Sequence, residues 1–342
     1  MSHAVIVVNR RAGAGASEVQ VLSQRLSERL QERGVTTELI RFAEQTPGVL
    51  SWRGALDRAL VEGTGRVYVL GGDGTVLAVA ARLVGKPTPL AIIPLGTANL
   101  LARDLRIPLQ PEQAVDTLAE LTDDAVQSID VGRVNGHLFL CASMIGLTTR
   151  LARTREAVRG RGLLRIVLRF ISKGIWLLRR YPYRRLHLFT NGQPIKVKTR
   201  ALVITNNPVG EVMRPYPSRP RLDTGLLGIY GIHKGPLHEL PRLAFRLLWG
   251  RWADDPRFFH YRSETIRIET GRERKLTVMN DGERLRIRSP LQYDSLPAAL
   301  RVLAPPAGAG AASSRGESGP SQRGLNRGFA SLLRGREGRS SR

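Results

Sequence analysis

Gly71-Gly72-Asp73-Gly74-Thr75 is the stretch whose residue types and spacing speak most directly of chemistry. It follows Arg66-Val67-Tyr68-Val69-Leu70, an apolar, β-branched and aromatic run that reads as a buried strand. It precedes Val76 to Val84, which reads as a helix. A glycine turn between strand and helix presents bare backbone N–H groups at the positive end of the helix, a ready site for an anion. Glycine lets the backbone approach a polyphosphate closely and reach positive φ at low steric cost. A carboxylate at Asp73 would repel a phosphate at close range, so it points to a metal ion or a substrate hydroxyl beside the turn. Taken alone, the stretch also fits an ordinary tight turn with a surface aspartate.

Two further clusters have the same character. In Pro94-Leu95-Gly96-Thr97-Ala98-Asn99, Gly96 allows a tight bend and Thr97 offers a hydroxyl to a phosphate. Asn99 can cap the next helix or meet substrate. In Asn280-Asp281-Gly282-Glu283, two carboxylates flank a glycine directly after an apolar strand. One could hold Mg²⁺ and the other accept a proton from an attacking hydroxyl, although Asp-Gly is also a common hairpin turn. Asn9 at the end of the first strand, followed by Gly13, fits a loop folding over a nucleotide. Gly13-Ala14-Gly15 does not complete a dinucleotide fingerprint, because Glu18 occupies the third glycine position. The Gly-x-x-x-x-Gly-Lys-Ser/Thr phosphate loop is absent, which argues against the P-loop kinases and ATPases.

Alternating elements must position these clusters. Strands at Ala4–Val8, Thr36–Phe42, Val67–Leu70 and Pro89–Ile93 alternate with helices from Ser17 to Gly34, Pro47 to Glu62, Val76 to Val84, Leu100 to Leu105 and Pro111 to Leu121. Ser17 is the expected N-cap of the first helix. The pattern predicts an α/β fold with an open, mostly parallel sheet. Ligands of such sheets sit at the carboxyl ends of the strands, so the Asn9, Gly71 and Gly96 loops should converge. From Ser128 the texture changes to short strand-like runs separated by turns, a β-rich sandwich pattern. The expected division is an α/β nucleotide-binding domain over 1–130, a β-rich substrate domain over 131–303 and a disordered basic tail over 304–342.

The 342 residues carry 53 Lys and Arg against 29 Asp and Glu, a net charge of +24, which draws a protein to polyanions such as nucleic acid or an anionic membrane. Between Arg150 and Arg185, Glu156 is the one acid. Arg161, Arg165, Arg169 and Lys173 recur there at helical spacing among apolar residues, with Trp176 and Tyr181 nearby. This suits a helix lying in a membrane interface or one packed on the second domain with a solvated basic face. Charge interrupts it too often for a bilayer span. No nucleic-acid-binding motif accompanies the charge. The single cysteine, Cys141, sits in an apolar run and excludes an internal disulfide. With no signal peptide at the start, a cytoplasmic setting is expected.

Together the motifs resemble the diacylglycerol kinase-like lipid kinases, which include bacterial diacylglycerol kinases, sphingosine kinases and ceramide kinases. The matching set is Asn9-x-x-x-Gly13, Gly71 to Thr75, Pro94-x-Gly96-Thr97-x-Asn99 with Ala102-Arg103, Ile129-Asp130-Val131-Gly132 with Met144-Ile145-Gly146, and Asp281-Gly282-Glu283. The glycine pentapeptide alone is shared with NAD kinases. The resemblance implies that ATP lies with its phosphates on the Gly71–Thr75 turn, helped by Asn9, Gly13, Thr97 and Asn99. It implies Mg²⁺ as counter-charge and a lipid hydroxyl as acceptor. It also implies Glu283 as proton acceptor with Asp281 supporting, and Asp73 as the competing assignment. Diacylglycerol is the default lipid, a sphingoid base or ceramide the alternative, and the expected location is the inner face of the membrane. An NAD kinase and an inactive membrane-binding protein are the other readings. Three departures stand out, the first being that a threonine usual near the end of the second strand has no clear match around Arg41-Phe42. Leu100 follows Asn99 where many members have Asp. Thr224 precedes Gly225 where many have the aspartate that holds a structural Mg²⁺, leaving Asp223 as a possible substitute ligand.

Overall fold

A computed structural model of the chain describes residues 3–10, 15–42, 51–146, 183–190, 193–210, 218–235, 255–270 and 275–306. Gly13, most of the basic Arg150–Arg185 segment and nearly all of the tail lie outside the described residues. The first part of the chain alternates as its sequence predicts: β1 (His3–Val8), α1 (Ala16–Gln31), β2 (Thr36–Arg41), α2 (Trp52–Val61), β3 (Arg66–Gly71), α3 (Asp73–Leu83), β4 (Leu90–Pro94), α4 (Leu100–Asp104) and α5 (Pro111–Glu120). Val5 to Val7 and Val67 to Leu70 are fully buried on both faces, as central parallel strands between helices must be. The sheet order β4-β3-β1-β2 is parallel throughout. The carboxyl ends of β1, β3 and β4 are therefore neighbours, and the loops after them start from one edge.

Two element starts differ from expectation. Gly15, not Ser17, is the N-cap of α1, and no side chain caps it. Helix α3 begins at Asp73, inside the glycine stretch, so the phosphate-cradle residues form its first turn.

The second part is antiparallel: β5 (Val126–Val134), β6 (His137–Phe139), β7 (Ala142–Gly146), β8 (Arg184–Thr190), β9 (Gln193–Asn206), β10 (Leu227–His233), β11 (Phe258–Ser263), β12 (Thr265–Thr270), β13 (Lys275–Asn280), β14 (Glu283–Arg288) and β15 (Leu291–Leu303). The sequence pattern splits β9 in two and gives no sign of β11 or β15. Strand β15 pairs antiparallel with β12 and β5, then meets β4 in parallel at Val302 and Leu90. It returns Leu300, Val302 and Leu303 to the core built by β1, β3 and β4. A second apolar cluster, with Ile145, Leu188, Ile204, Ile266 and Val278, fills the β-rich part. Cys141 is buried in the first cluster, as its apolar surroundings predict. The fold is thus an N-terminal α/β domain followed by a β-rich one.

Candidate active site

The glycines of the central turn are there for space. None of Gly71, Gly72 and Gly74 has positive φ; the cap Gly72 sits at φ −91° and ψ 179°. A Cβ on Gly71 would lie 2.7 Å from Cβ of Thr75, one turn along α3. A Cβ on Gly72 would lie 3.2 Å from Cα of Gly96, and one on Gly96 would lie 2.8 Å from Cα of Gly72. The two motif turns therefore touch backbone to backbone, which only a glycine pair permits. Asn9, at the end of β1, donates from Nδ2 to Oγ1 of Thr75 at 2.7 Å. The three loops that the sequence expects to converge do so in two cases through direct contacts to the Gly71–Thr75 turn.

Asp73 is half-buried, and both of its oxygens are engaged by the Gly96 motif. Its Oδ2 accepts the Asn99 N–H at 2.9 Å and its Oδ1 accepts the Leu100 N–H at 2.8 Å. It therefore caps α4 from another helix, satisfying donors that a helix start leaves open. Burial pushes the Asp73 carboxyl up, while those N–H groups and the Arg103 charge pull it down. Only the backbone N–H of Leu100 is used, so the missing acid of that position removes nothing from the cap. Asn99 is left-handed at φ 47° and ψ 48°, a region Asn tolerates better than most residues. Its Oδ1 accepts the Gly96 N–H and its Nδ2 donates to the Gly96 carbonyl, both at 2.9 Å. Asn99 thus closes its own turn. Thr97, at the tip of that turn, is exposed.

The Asp281-Gly282 pair is both hairpin and site. Asp281 at φ 44° and Gly282 at φ 94° form the two-residue turn between β13 and β14, with positive φ at both positions as the primed turn requires. The two carboxylates part company. Asp281 accepts three backbone N–H groups: Leu140 at 2.5 Å, Cys141 at 2.9 Å and Ala142 at 2.8 Å. Burial pushes its carboxyl up, against those three donors and the Arg219 charge. It pins the hairpin to the start of β7. Glu283 is exposed, and its Oε1 would lie 3.5 Å from a Cβ placed on Gly74. It takes no hydrogen bond or ion pair from the described residues. The one open carboxylate of the three therefore stands over the first turn of α3.

Sequence reasoning missed the frame behind this. Arg219 is buried and forks onto Asp104 of α4 through Nε at 2.9 Å and a terminal nitrogen at 2.7 Å. Its other terminal nitrogen donates to the carbonyls of Leu140 at 2.6 Å and Asn206 at 2.7 Å. One guanidinium thus ties the helix after the Gly96 turn to the segment that holds Asp281. Nothing in the local sequence marks it, because its partners are far apart along the chain.

The family model of the diacylglycerol kinase catalytic domain matches residues 3–134, and that of the YegS C-terminal NAD kinase beta sandwich-like domain matches residues 146–304. The chain belongs to the diacylglycerol kinase-like lipid kinase family. A Pseudomonas aeruginosa protein named "Probable lipid kinase YegS-like" is 40% identical over 110 residues, 31% of this chain and 35% of its own. The diacylglycerol kinase of Bacillus subtilis is 27% identical over 222 residues, 64% of this chain and 70% of its own. The first curated relatives are matched over 56% and 35% of their own length. The crystal structure of a diacylglycerol kinase from Bacillus anthracis shares the fold, with a TM-score of 0.63 at 20% identity over 90% of this chain and 97% of that one.

The structural Mg²⁺ that this family implies does not fit the donors found here. Asp130 uses one carboxylate oxygen on the Gly225 N–H at 2.7 Å and the other on the Ala298 N–H at 2.9 Å. Oδ1 of Asn207 accepts from both the N–H and the hydroxyl of Thr224, at 2.8 and 2.6 Å. Asp223, the substitute ligand expected from sequence, instead points outward and pairs with Arg221 at 3.0 Å. Among the described residues no group of three His, Cys, Asp or Glu is placed to hold a metal. A set of hydrogen bonds accepted by Asp130 and Asn207 stands where the cation is implied.

Proposed function

We propose that the chain transfers the γ-phosphate of ATP to the hydroxyl of a lipid, with diacylglycerol the first candidate and a sphingoid base or ceramide the second. The observation that carries this reading is the open Glu283 carboxylate set over Gly74, at the N-terminus of α3. The first-turn N–H groups of Gly74 and Thr75 have no partner within the helix and favour phosphate oxygens. Asn9 holds the β1 loop against the same turn. In the reaction the lipid oxygen attacks the γ-phosphorus, the bond to the β-phosphate oxygen breaks, and ADP leaves. Glu283 takes the hydroxyl proton. Asp73 and Asp281 keep the turn and the hairpin in place. Mg²⁺ would arrive with ATP and would supply counter-charge to the phosphates.

The excess of Lys and Arg supports action at an anionic membrane surface, and a cytoplasmic protein would meet that surface at the inner face. No helix among the described residues is long and apolar enough to cross a membrane. The name of the Bacillus subtilis relative favours diacylglycerol. The test is incubation with γ-labelled ATP, Mg²⁺, NAD and lipids in mixed micelles. Label in diacylglycerol, a sphingoid base or ceramide supports the reading. Label in NAD alone, or in no acceptor, overturns it.

A further inference from the structure

Strand β14 carries Glu283, Leu285 and Ile287 on one face and Arg284, Arg286 and Arg288 on the other. Ile287 is buried in the second apolar cluster, so the arginines stand on the solvent face of the sheet, and all three are exposed. Lys275 of β13 pairs with Arg288 and is also exposed. Alternate residues along a strand lie about 7 Å apart, so the side chains form a flat, evenly spaced cationic ladder. Among the described residues no carboxylate pairs with any of these four. Further along the sheet Lys196 and Lys198 of β9 are exposed as well, and Lys198 pairs with Arg185 of β8. Among the described residues β14 is an edge strand.

We propose that this face docks the protein on an anionic bilayer. The inference rests on the lipid kinase reading: the ladder and Glu283 share strand β14, on opposite faces, so docking by the ladder would bring the strand that carries the proton acceptor to the surface where a lipid hydroxyl is found. This surface lies on β13 and β14, apart in sequence from the basic 150–185 segment. Charge complementarity favours anionic headgroups. A nucleic acid is the weaker fit, because no aromatic side chain interleaves with the ladder to stack on bases.

The test uses the full chain with vesicles of phosphatidylcholine alone and of phosphatidylcholine mixed with phosphatidylglycerol. Each basic residue near an anionic surface is worth about fivefold in binding. The triple variant Lys275→Gln, Arg286→Gln, Arg288→Gln should bind the anionic vesicles about a hundredfold more weakly than wild type, and reversal of the same three residues to Glu more weakly still. Binding of wild type should fall with salt and be absent on phosphatidylcholine alone. Transfer to a soluble short-chain diacylglycerol should be unchanged in the Gln variant, which also reports that it is folded. Unchanged vesicle affinity in both variants overturns the proposal. So does wild-type binding to duplex RNA with none to anionic vesicles. A failed kinase reading shows separately, as wild type that transfers nothing to the soluble substrate.

Discussion

Asp281 and Glu283 stand two positions apart, yet the structure gives them opposite surroundings. Asp281 satisfies three backbone N–H groups of Leu140, Cys141 and Ala142. Removing an acceptor leaves those donors without their partner, at a cost of about 1–3 kcal/mol for each one kept from water. Asp281→Ala should therefore destabilise the chain by about 3 kcal/mol or more, and Asp281→Asn, which keeps one acceptor oxygen, by less; urea unfolding measures both. A stability equal to wild type in the Ala variant would return Asp281 to the reacting groups. The sequence puts both carboxylates at the site but cannot divide the work between them. That division depends on loop N–H groups some 140 positions earlier in the chain. The same holds for Asp73, whose awkwardness near phosphate disappears once its oxygens are seen to cap α4.

At the scale of elements, the site is two turns locked face to face at Gly72 and Gly96. A methyl on Gly96 would lie 2.7 Å from Oδ1 of Asn99 and 2.8 Å from Cα of Gly72, and the latter is backbone that cannot swing aside. Gly96→Ala should cost roughly 1–3 kcal/mol in thermal unfolding, in the range of overpacked sites, and raise KM for ATP. A methyl on Gly74 meets only ordinary contact at 3.5 Å, so Gly74→Ala should unfold like wild type. Equal losses in the two variants would contradict the interlock. The parallel half of the fold is legible in sequence because strands buried on both faces read as unbroken apolar runs, as Val67 to Leu70 do. Strand β15 is not, because its pattern is broken at Asp294, Pro297 and Ala298. Ala298 has φ 50°, and the register with β5 shifts between Leu296 and Leu300. Pairing partners on both sides override a sequence that reads as a turn.

Across the whole molecule, β15 and the Arg219–Asp104 pair join the β-rich part to the α/β part, and hydrogen bonds donated by Thr224 and Gly225 to Asn207 and Asp130 secure the 222–226 segment. Without a structural cation in this tie, the melting temperature of the ATP-free chain should not move when EDTA replaces Mg²⁺. Thr224→Asp, which adds a carboxylate beside Asn207, should make it rise with added divalent cation. A wild-type melt that drops in EDTA would show that a metal is held after all. The central claim is that the two parts of the chain build one phosphotransfer site, the glycine turn from one and Glu283 from the other. Single-turnover transfer of γ-phosphate from ATP to diacylglycerol, compared between wild type and Glu283→Gln, tests it most directly. The account predicts label in the lipid with wild type. It predicts a rate lower by about 10²–10⁴-fold in the variant, the range for loss of a general base, with the melting temperature unchanged. Equal rates in the two proteins would contradict it.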